Sequence, residues 1–179
     1  SRRTIAPIDK IGGHFQAAET HLTHAWLLHR LNAPEEARGH LERSRVIAQA
    51  TQSRLLQYFC FILDTGVALN QGEFDAAAER LGAALALDKE MGGILAPVQP
   101  KRKWTRLYTF ALNRGIEVEH VRAMIGKHQL MPDSPPIEIE NWPWRYRFYT
   151  LGRFSIVQDK KTLPLSGKGQ KKPLELLKS

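Results

Sequence analysis

Two stretches, Asn32–Ala50 (NAPEEARGHLERSRVIAQA) and Gly72–Gly93 (GEFDAAAERLGAALALDKEMGG), open in the same way. Asn32-Ala33-Pro34 breaks a helix, and Pro34 suits the first turn of the next one, where a backbone N–H has no intrahelical partner to lose. Glu35 and Glu36 then lie at the positive end of the new helix, as Glu73 and Asp75 do after Gly72. Small and apolar residues recur at spacings of three and four. They are Ala37, Leu41, Ser44, Ile47 and Ala48 in the first stretch and Ala77, Leu81, Ala84, Leu85 and Leu87 in the second. Asn32 and Gly72, Ala37 and Ala77, and Leu41 and Leu81 are each separated by 40 residues. A small residue lets two antiparallel helices approach, and the next large one fills the groove between pairs.

Each stretch is preceded by a second helical pattern. Phe15, Ala18, Leu22, Ala25, Trp26 and His29 form one stripe, so a helix is expected from His14 to about Asn32, with Ser1 to Gly13 as a frayed lead-in. Ser53 to Asn70 is apolar nearly all round, which predicts a helix covered on most sides. After a turn or linker at Ile94–Pro100, a shorter pair is expected. Its first helix, Lys103 to Asn113, turns Trp104, Leu107, Tyr108 and Ala111 inward; its second, Glu117 to Lys127, does the same with Val118, Val121, Met124 and Ile125. The expected fold is therefore mainly α, built of stacked antiparallel helical hairpins with a small C-terminal antiparallel β segment.

The pattern Gly72, Ala77, Leu81, Ala84 resembles the tetratricopeptide repeat, with a longer period than its usual 34 residues. Asn32 and Ser44 depart from it in the first hairpin. The elongated units are similar to those of the helical repeat domain in the maltose-system family of bacterial transcriptional activators. The run Ala111-Leu112, Gly115-Ile116-Glu117, Glu119, Val121-Arg122 resembles the last repeat before the output domain there. That resemblance implies a concave face lined by the first helix of each pair. Carried over position by position, it gives Glu19, Leu22, Trp26, His29 and Arg30, then Phe59, Ile62, Leu69 and Asn70. Glu19, Trp26, His29, Arg30 and Asn70 are the candidates to meet an effector, small molecule or protein, because they combine an aromatic face with polar groups. Packing of Trp26 between hairpins is the plainer alternative.

The C-terminal stretch Trp142–Leu177 (WPWRYRFYTLGRFSIVQDKKTLPLSGKGQKKPLELL) has a different period. Tyr146, Phe148 and Thr150 alternate with Arg145, Arg147 and Tyr149, and Phe154 and Ile156 alternate with Arg153, Ser155 and Val157. Period two with aromatic and β-branched residues predicts half-buried strands, with a third short one from Thr162 to Leu165. Pro173 then stands where a helix opens, with Leu174, Leu176 and Leu177 on its apolar side. This run resembles the start of a response-regulator-type winged-helix domain, in the turn Leu151-Gly152-Arg153-Phe154 and in Lys172-Pro173-Leu174-Glu175-Leu176-Leu177. The recognition helix and wing of that family are missing from it. The resemblance implies DNA-backbone contacts at Arg145, Arg147, Lys168, Lys171 and Lys172 in the full-length protein only.

Charge supports the same division. The net charge is +8, yet residues 1–100 hold 10 Lys/Arg against 11 Asp/Glu, and residues 101–179 hold 16 against 7. All the excess lies in the second part, which argues for an anionic partner there. With 42% apolar and 25% charged residues the composition is that of a globular protein. No apolar run approaches the ~18 residues of a membrane span, so no membrane partner is expected. The single Cys60 sits in an apolar run and reads as a buried reduced thiol, fitting a cytoplasmic protein.

Catalytic and metal-binding patterns are weak. His21 and His24 share a helix face without a third ligand at a recurring spacing, so no metal or other cofactor is expected. Ser166-Gly167-Lys168-Gly169 lacks both the earlier Gly and the Ser/Thr of a phosphate-binding loop. No Gly-x-Ser-x-Gly elbow occurs, and no enzyme is expected.

The predicted organisation is a helical repeat domain at 1–130, a proline-rich extended linker at 131–144 and a truncated winged-helix start at 145–179. With no initiating Met and a C-terminus inside a helical pattern, the chain reads as a piece of a larger regulator. The expected function is effector sensing in a multidomain bacterial transcriptional regulator. The alternative is a protein–protein adaptor unrelated to transcription. Homo-oligomerisation through unfinished sheet edges is a further expectation.

Overall fold

The computed structural model describes residues 5–31, 33–93, 101–132, 136–150, 155–158 and 161–163. Its helices are α1 (Ile5–Arg30), α2 (Pro34–Ala50), α3 (Arg54–Gln71), α4 (Phe74–Glu90), α5 (Lys101–Asn113) and α6 (Val118–His128). Its strands are β1 (Tyr146–Tyr149), β2 (Ser155–Gln158) and β3 (Lys161–Thr162). The chain divides into two compact units, Ser1–Asn141 and Trp142–Ser179. The fold is mainly α, with paired helices and a small antiparallel sheet, as the periodicities predict.

β3 takes in Lys161, which reads in sequence as part of the turn, and α5 starts two residues early, at Lys101; one helix boundary differs by more than that. α1 already runs from Ile5, where the turn-rich composition predicts a lead-in as far as Gly13. Pro7 falls in the first turn, where its missing N–H is tolerated, so the breaker residues there do not break the helix. The other boundaries follow local chemistry. Pro34 occupies the first turn of α2, and Ser53 Oγ caps α3 by accepting from the Leu56 N–H. Gly72 closes α3 in the left-handed conformation, at φ 76°, and the next N–H, of Glu73, returns to the Ala68 carbonyl.

The first two pairs are antiparallel, as their contacts show. Ala18, midway along α1, clusters with Ala48 late in α2, and Ala25, nearer the end of α1, clusters with Leu41 in the first half of α2. In the second pair Arg54 reaches Glu90 at 3.2 Å, first turn to last. Ala18, Ala25, Ala37, Ala48, Ala68, Ala77, Ala84 and Ala111 are all buried, so the crossings are made of the smallest side chains that keep a helix. α3 is shared between neighbours, with Leu56, Cys60 and Leu63 packing back on α1 and α2. Tyr58 stacks on Trp104 of α5 with ring centroids 6.4 Å apart and planes 10° from parallel.

Ion pairs stitch the layers. Asp64 of α3, its side chain 12% exposed, accepts from Arg45 of α2 at 2.7 Å and from Arg80 of α4 at 3.1 Å. Buried Asp88 of α4 meets His120 of α6 at 2.7 Å, and Lys127 donates to the Gly93 carbonyl. Gly93 is left-handed, at φ 62°, and a Cβ there would sit 3.1 Å from Met124 Sδ.

The proline-rich segment is not simply extended. Pro136 and Ile139 are buried, and the Ile139 N–H returns to the Pro136 carbonyl in a turn, because apolar residues between the prolines have a core to enter. This segment to Asn141 belongs to the helical unit. In the second unit Trp142 is buried and its ring lies 6.3 Å from that of Trp144. β1, β2 and β3 pair antiparallel in sequence order, with Phe148 opposite Ile156 and Val157 opposite Thr162. The expected half-burial fails on β1. Tyr146, Phe148 and Tyr149 are 44%, 52% and 48% exposed, so neither face of this edge strand is buried. The turn at Leu151–Phe154, the loop 167–172 and the helix opening at Pro173 lie outside the described residues.

Asp64→Ala leaves Arg45 and Arg80 facing each other in a half-buried site, and a lowering of stability by about 1–3 kcal/mol is expected in urea denaturation. Glu119→Ala, which removes the 82% exposed partner of an i,i+3 pair with Arg122, should shift it by less than about 1 kcal/mol. Cys60 is buried and donates to Ser44 Oγ at 3.6 Å, and burial pushes its pKa up. An aromatic disulfide reagent should therefore react with it slowly in native buffer and rapidly in urea. Fast native reaction would contradict this.

Candidate effector site on the inner helices

α1, α3 and α5 are the first helices of the three pairs, and one cluster draws on all of them. Its centre is Trp26, half-buried and packed against the core of Ala25, Leu41, Cys60 and Leu63. The Arg30 guanidinium lies 4.8 Å from the Trp26 ring centroid and the Lys103 ammonium 4.5 Å from it. Arg30 follows Trp26 by one helical turn, so this pair is set by spacing alone. Lys103 comes from α5, and the stacking of Trp104 on Tyr58 anchors that helix against α3.

A polar chain runs beside it. Arg106 donates to Asn70 Oδ1 at 3.4 Å, and Asn70 Nδ2 lies 3.2 Å from His29 Nε2. Arginine can only donate, so the amide oxygen faces Arg106 and the amide nitrogen donates to the ring nitrogen. Nε2 of His29 must then be unprotonated, and the proton of the neutral ring sits on Nδ1. Burial, then Lys103 and Arg106, hold the His29 pKa below the usual histidine range, in keeping with that arrangement. Burial and Arg30 likewise lower the pKa of Lys103.

Four of the five predicted effector-face residues, Trp26, His29, Arg30 and Asn70, thus meet. Glu19 does not: it is exposed on α1 about two turns before Trp26. The alternative role for Trp26 is also realised, since the same ring packs between helices and supports two cations. Lys103 and Arg106 are absent from the sequence-derived set. The signal was the run Lys101-Arg102-Lys103-Trp104-Thr105-Arg106, which charge counting assigns to the C-terminal excess and tertiary packing brings against α1.

Among the proposed DNA-backbone residues, Arg145 is exposed with its guanidinium 5.7 Å from the Tyr146 ring centroid. Arg147 donates to the Trp142 carbonyl at 3.3 Å, a contact that ties β1 to the segment before it. Lys168, Lys171 and Lys172 lie outside the described residues. The paired histidines have a third neighbour that spacing did not reveal. His40 of α2 has Nδ1 2.9 Å from His21 Nδ1, and its ring centroid is 5.1 Å from that of His24. Among the described residues no group of three or more His, Cys, Asp or Glu is placed to hold a metal ion. No described helix is long and apolar enough to cross a membrane.

Comparison of the chain with protein-family models, with curated proteins and with solved structures gives no match.

The depressed His29 pKa has a thermodynamic sign. The unfolded chain takes up a proton on this ring first, near pH 6.5, so folding releases it and stability falls as pH drops through the window below that value. Melting curves between about pH 7 and pH 5 should show a loss for the wild type that is smaller in His29→Gln. An identical loss in the two proteins would contradict the assigned tautomer and its cause.

Proposed function

We propose that the helical unit is the effector-sensing region of a multidomain bacterial transcriptional regulator, acting in the cytoplasm, and that the sheet begins its DNA-binding output domain. The observation that carries this reading is the gathering of Trp26, Arg30, His29 and Asn70 with Lys103 and Arg106 on the first helices of successive hairpins. A site assembled from several hairpins makes the spacing between them depend on occupancy, because a ligand that contacts all of them favours one arrangement. The antiparallel order β1-β2-β3, Arg147 within β1 and Arg145 just before it support the second half of the reading, beside the winged-helix resemblance.

A thermal-shift screen of metabolites on this chain, paired with DNA titrations, tests the proposal. At least one small molecule should raise the melting temperature of the wild type and not that of Trp26→Ala/Arg30→Ala. DNA should bind weakly, without sequence preference, and with an affinity that falls steeply with salt, because base reading needs a helix in the major groove. Sequence-selective binding at physiological salt would contradict a contact made to the DNA backbone alone. A chain stabilised by no small molecule, but by an acidic peptide, would be an adaptor instead.

A further inference from the structure

We infer that the cluster around Trp26 takes a small-molecule oxyanion with at least two negative groups, phosphate or carboxylate, held by Arg30, Lys103 and Arg106; this rests on the effector-sensing reading above. Three cations from two hairpins converge here, and among the described residues none of them faces a carboxylate. The same unit pairs its other inter-helix arginines, as Arg45 and Arg80 share Asp64 and Arg114 meets Asp75. Like charges held together without a counterion oppose one another, and the lowered pKa values of Lys103 and His29 report that opposition alongside burial. An anion placed among them reverses the sign of the interaction.

The geometry also limits the ligand. Arg30 and Lys103 gather over one indole, while Arg106 stands apart on Asn70, which makes two positive loci and calls for two negative groups. Arg106 uses one of its N–H groups on Asn70 Oδ1, a contact that orients the fork and leaves its remaining donors for an acceptor such as phosphate or carboxylate. Trp26 Nε1 is a buried donor with no hydrogen-bond partner, on the ring beneath the two cations. A nucleic-acid backbone fits poorly, since it asks for a stripe of cations along its path, whereas these three gather in one cluster around Trp26 and Asn70.

Calorimetric titration of the wild-type chain with sodium pyrophosphate and with sodium citrate, against sodium chloride at equal ionic strength, tests the inference. One or both salts should bind at a single site. Lys103→Gln/Arg106→Gln should weaken that binding by roughly tenfold or more, as expected for lost charge-assisted hydrogen bonds. Arg43→Gln, on the exposed surface of α2, should leave it unchanged. Without ligand, the double variant should still melt cooperatively, because the lost Lys103–Trp26 and Arg106–Asn70 contacts are offset by relief of repulsion; both proteins should keep the same circular dichroism. Preference for pyrophosphate identifies a phosphorylated ligand and preference for citrate a carboxylate, and either supports the inference.

Binding no stronger than chloride, or equal binding by the double variant, overturns it. If both oxyanions fail while an uncharged metabolite stabilises the wild type and not Trp26→Ala, the ligand class is wrong and effector sensing stands. If an oligoglutamate peptide binds and no small molecule does, both readings fall.

Discussion

The buried alanines at the helix crossings are the constraint on which the rest of the helical unit depends. Ala18, Ala25, Ala48, Ala77 and Ala84 have almost no exposed surface, and each lies where a larger side chain would push two helices apart. With the helices of each pair held close, α3 can serve two neighbours at once. Its Leu56, Cys60 and Leu63 close the first pair, and its Tyr58 receives Trp104. The same closeness brings Asp64 between Arg45 and Arg80, so one carboxylate joins α2, α3 and α4. Such a bridge adds little net stability when whole, yet it is costly to leave half-made, and it fixes the register of the layers more than it drives their association.

Electrostatics then separates two kinds of surface on this unit. Where α2, α3 and α4 meet, positive and negative groups alternate and neutralise one another. Where side chains of α1 and α5 meet, Arg30 and Lys103 lie against the face of one indole with no carboxylate beside them among the described residues. Asn70 bridges the two halves of this surface, accepting from Arg106 and donating to His29, and so couples the protonation of the ring to the position of a guanidinium. A packed, balanced seam on one side and an unbalanced cluster on the other is the arrangement expected of a scaffold that holds a site open.

The second unit is organised by other means. Trp142 is buried and Arg147 reaches back to its carbonyl, so the start of the sheet is held by one aromatic and one hydrogen bond. Tyr146, Phe148 and Tyr149 remain about half exposed on an edge strand, and the strand order leaves β1 with a free edge among the described residues. Exposed aromatic surface on an edge of this kind is ordinarily covered by something.

Much of this was legible from residue order. Helices α2 to α6 and their inner faces follow from spacings of three and four, the turns from Pro34, Ser53 and Gly72, and three antiparallel strands from the period-two runs. These are local matters, decided by backbone sterics and by which side of an element is apolar. Residue order misjudged the start of α1, since a proline in a first turn reads as a breaker until the helix around it is seen, and it expected burial for aromatics on β1 that only neighbours can supply. The repeat resemblance placed Trp26, His29, Arg30 and Asn70 on one face, and these four do come together in the fold. Tertiary structure alone decided that Lys103 and Arg106, more than 70 residues further along, belong to the same cluster, and that His40 joins His21 and His24. Hydrophobic periodicity specifies which face of a helix turns inward; which partner it meets there, and which charges are then left unbalanced, depends on how whole helices cross, and no local pattern encodes that crossing.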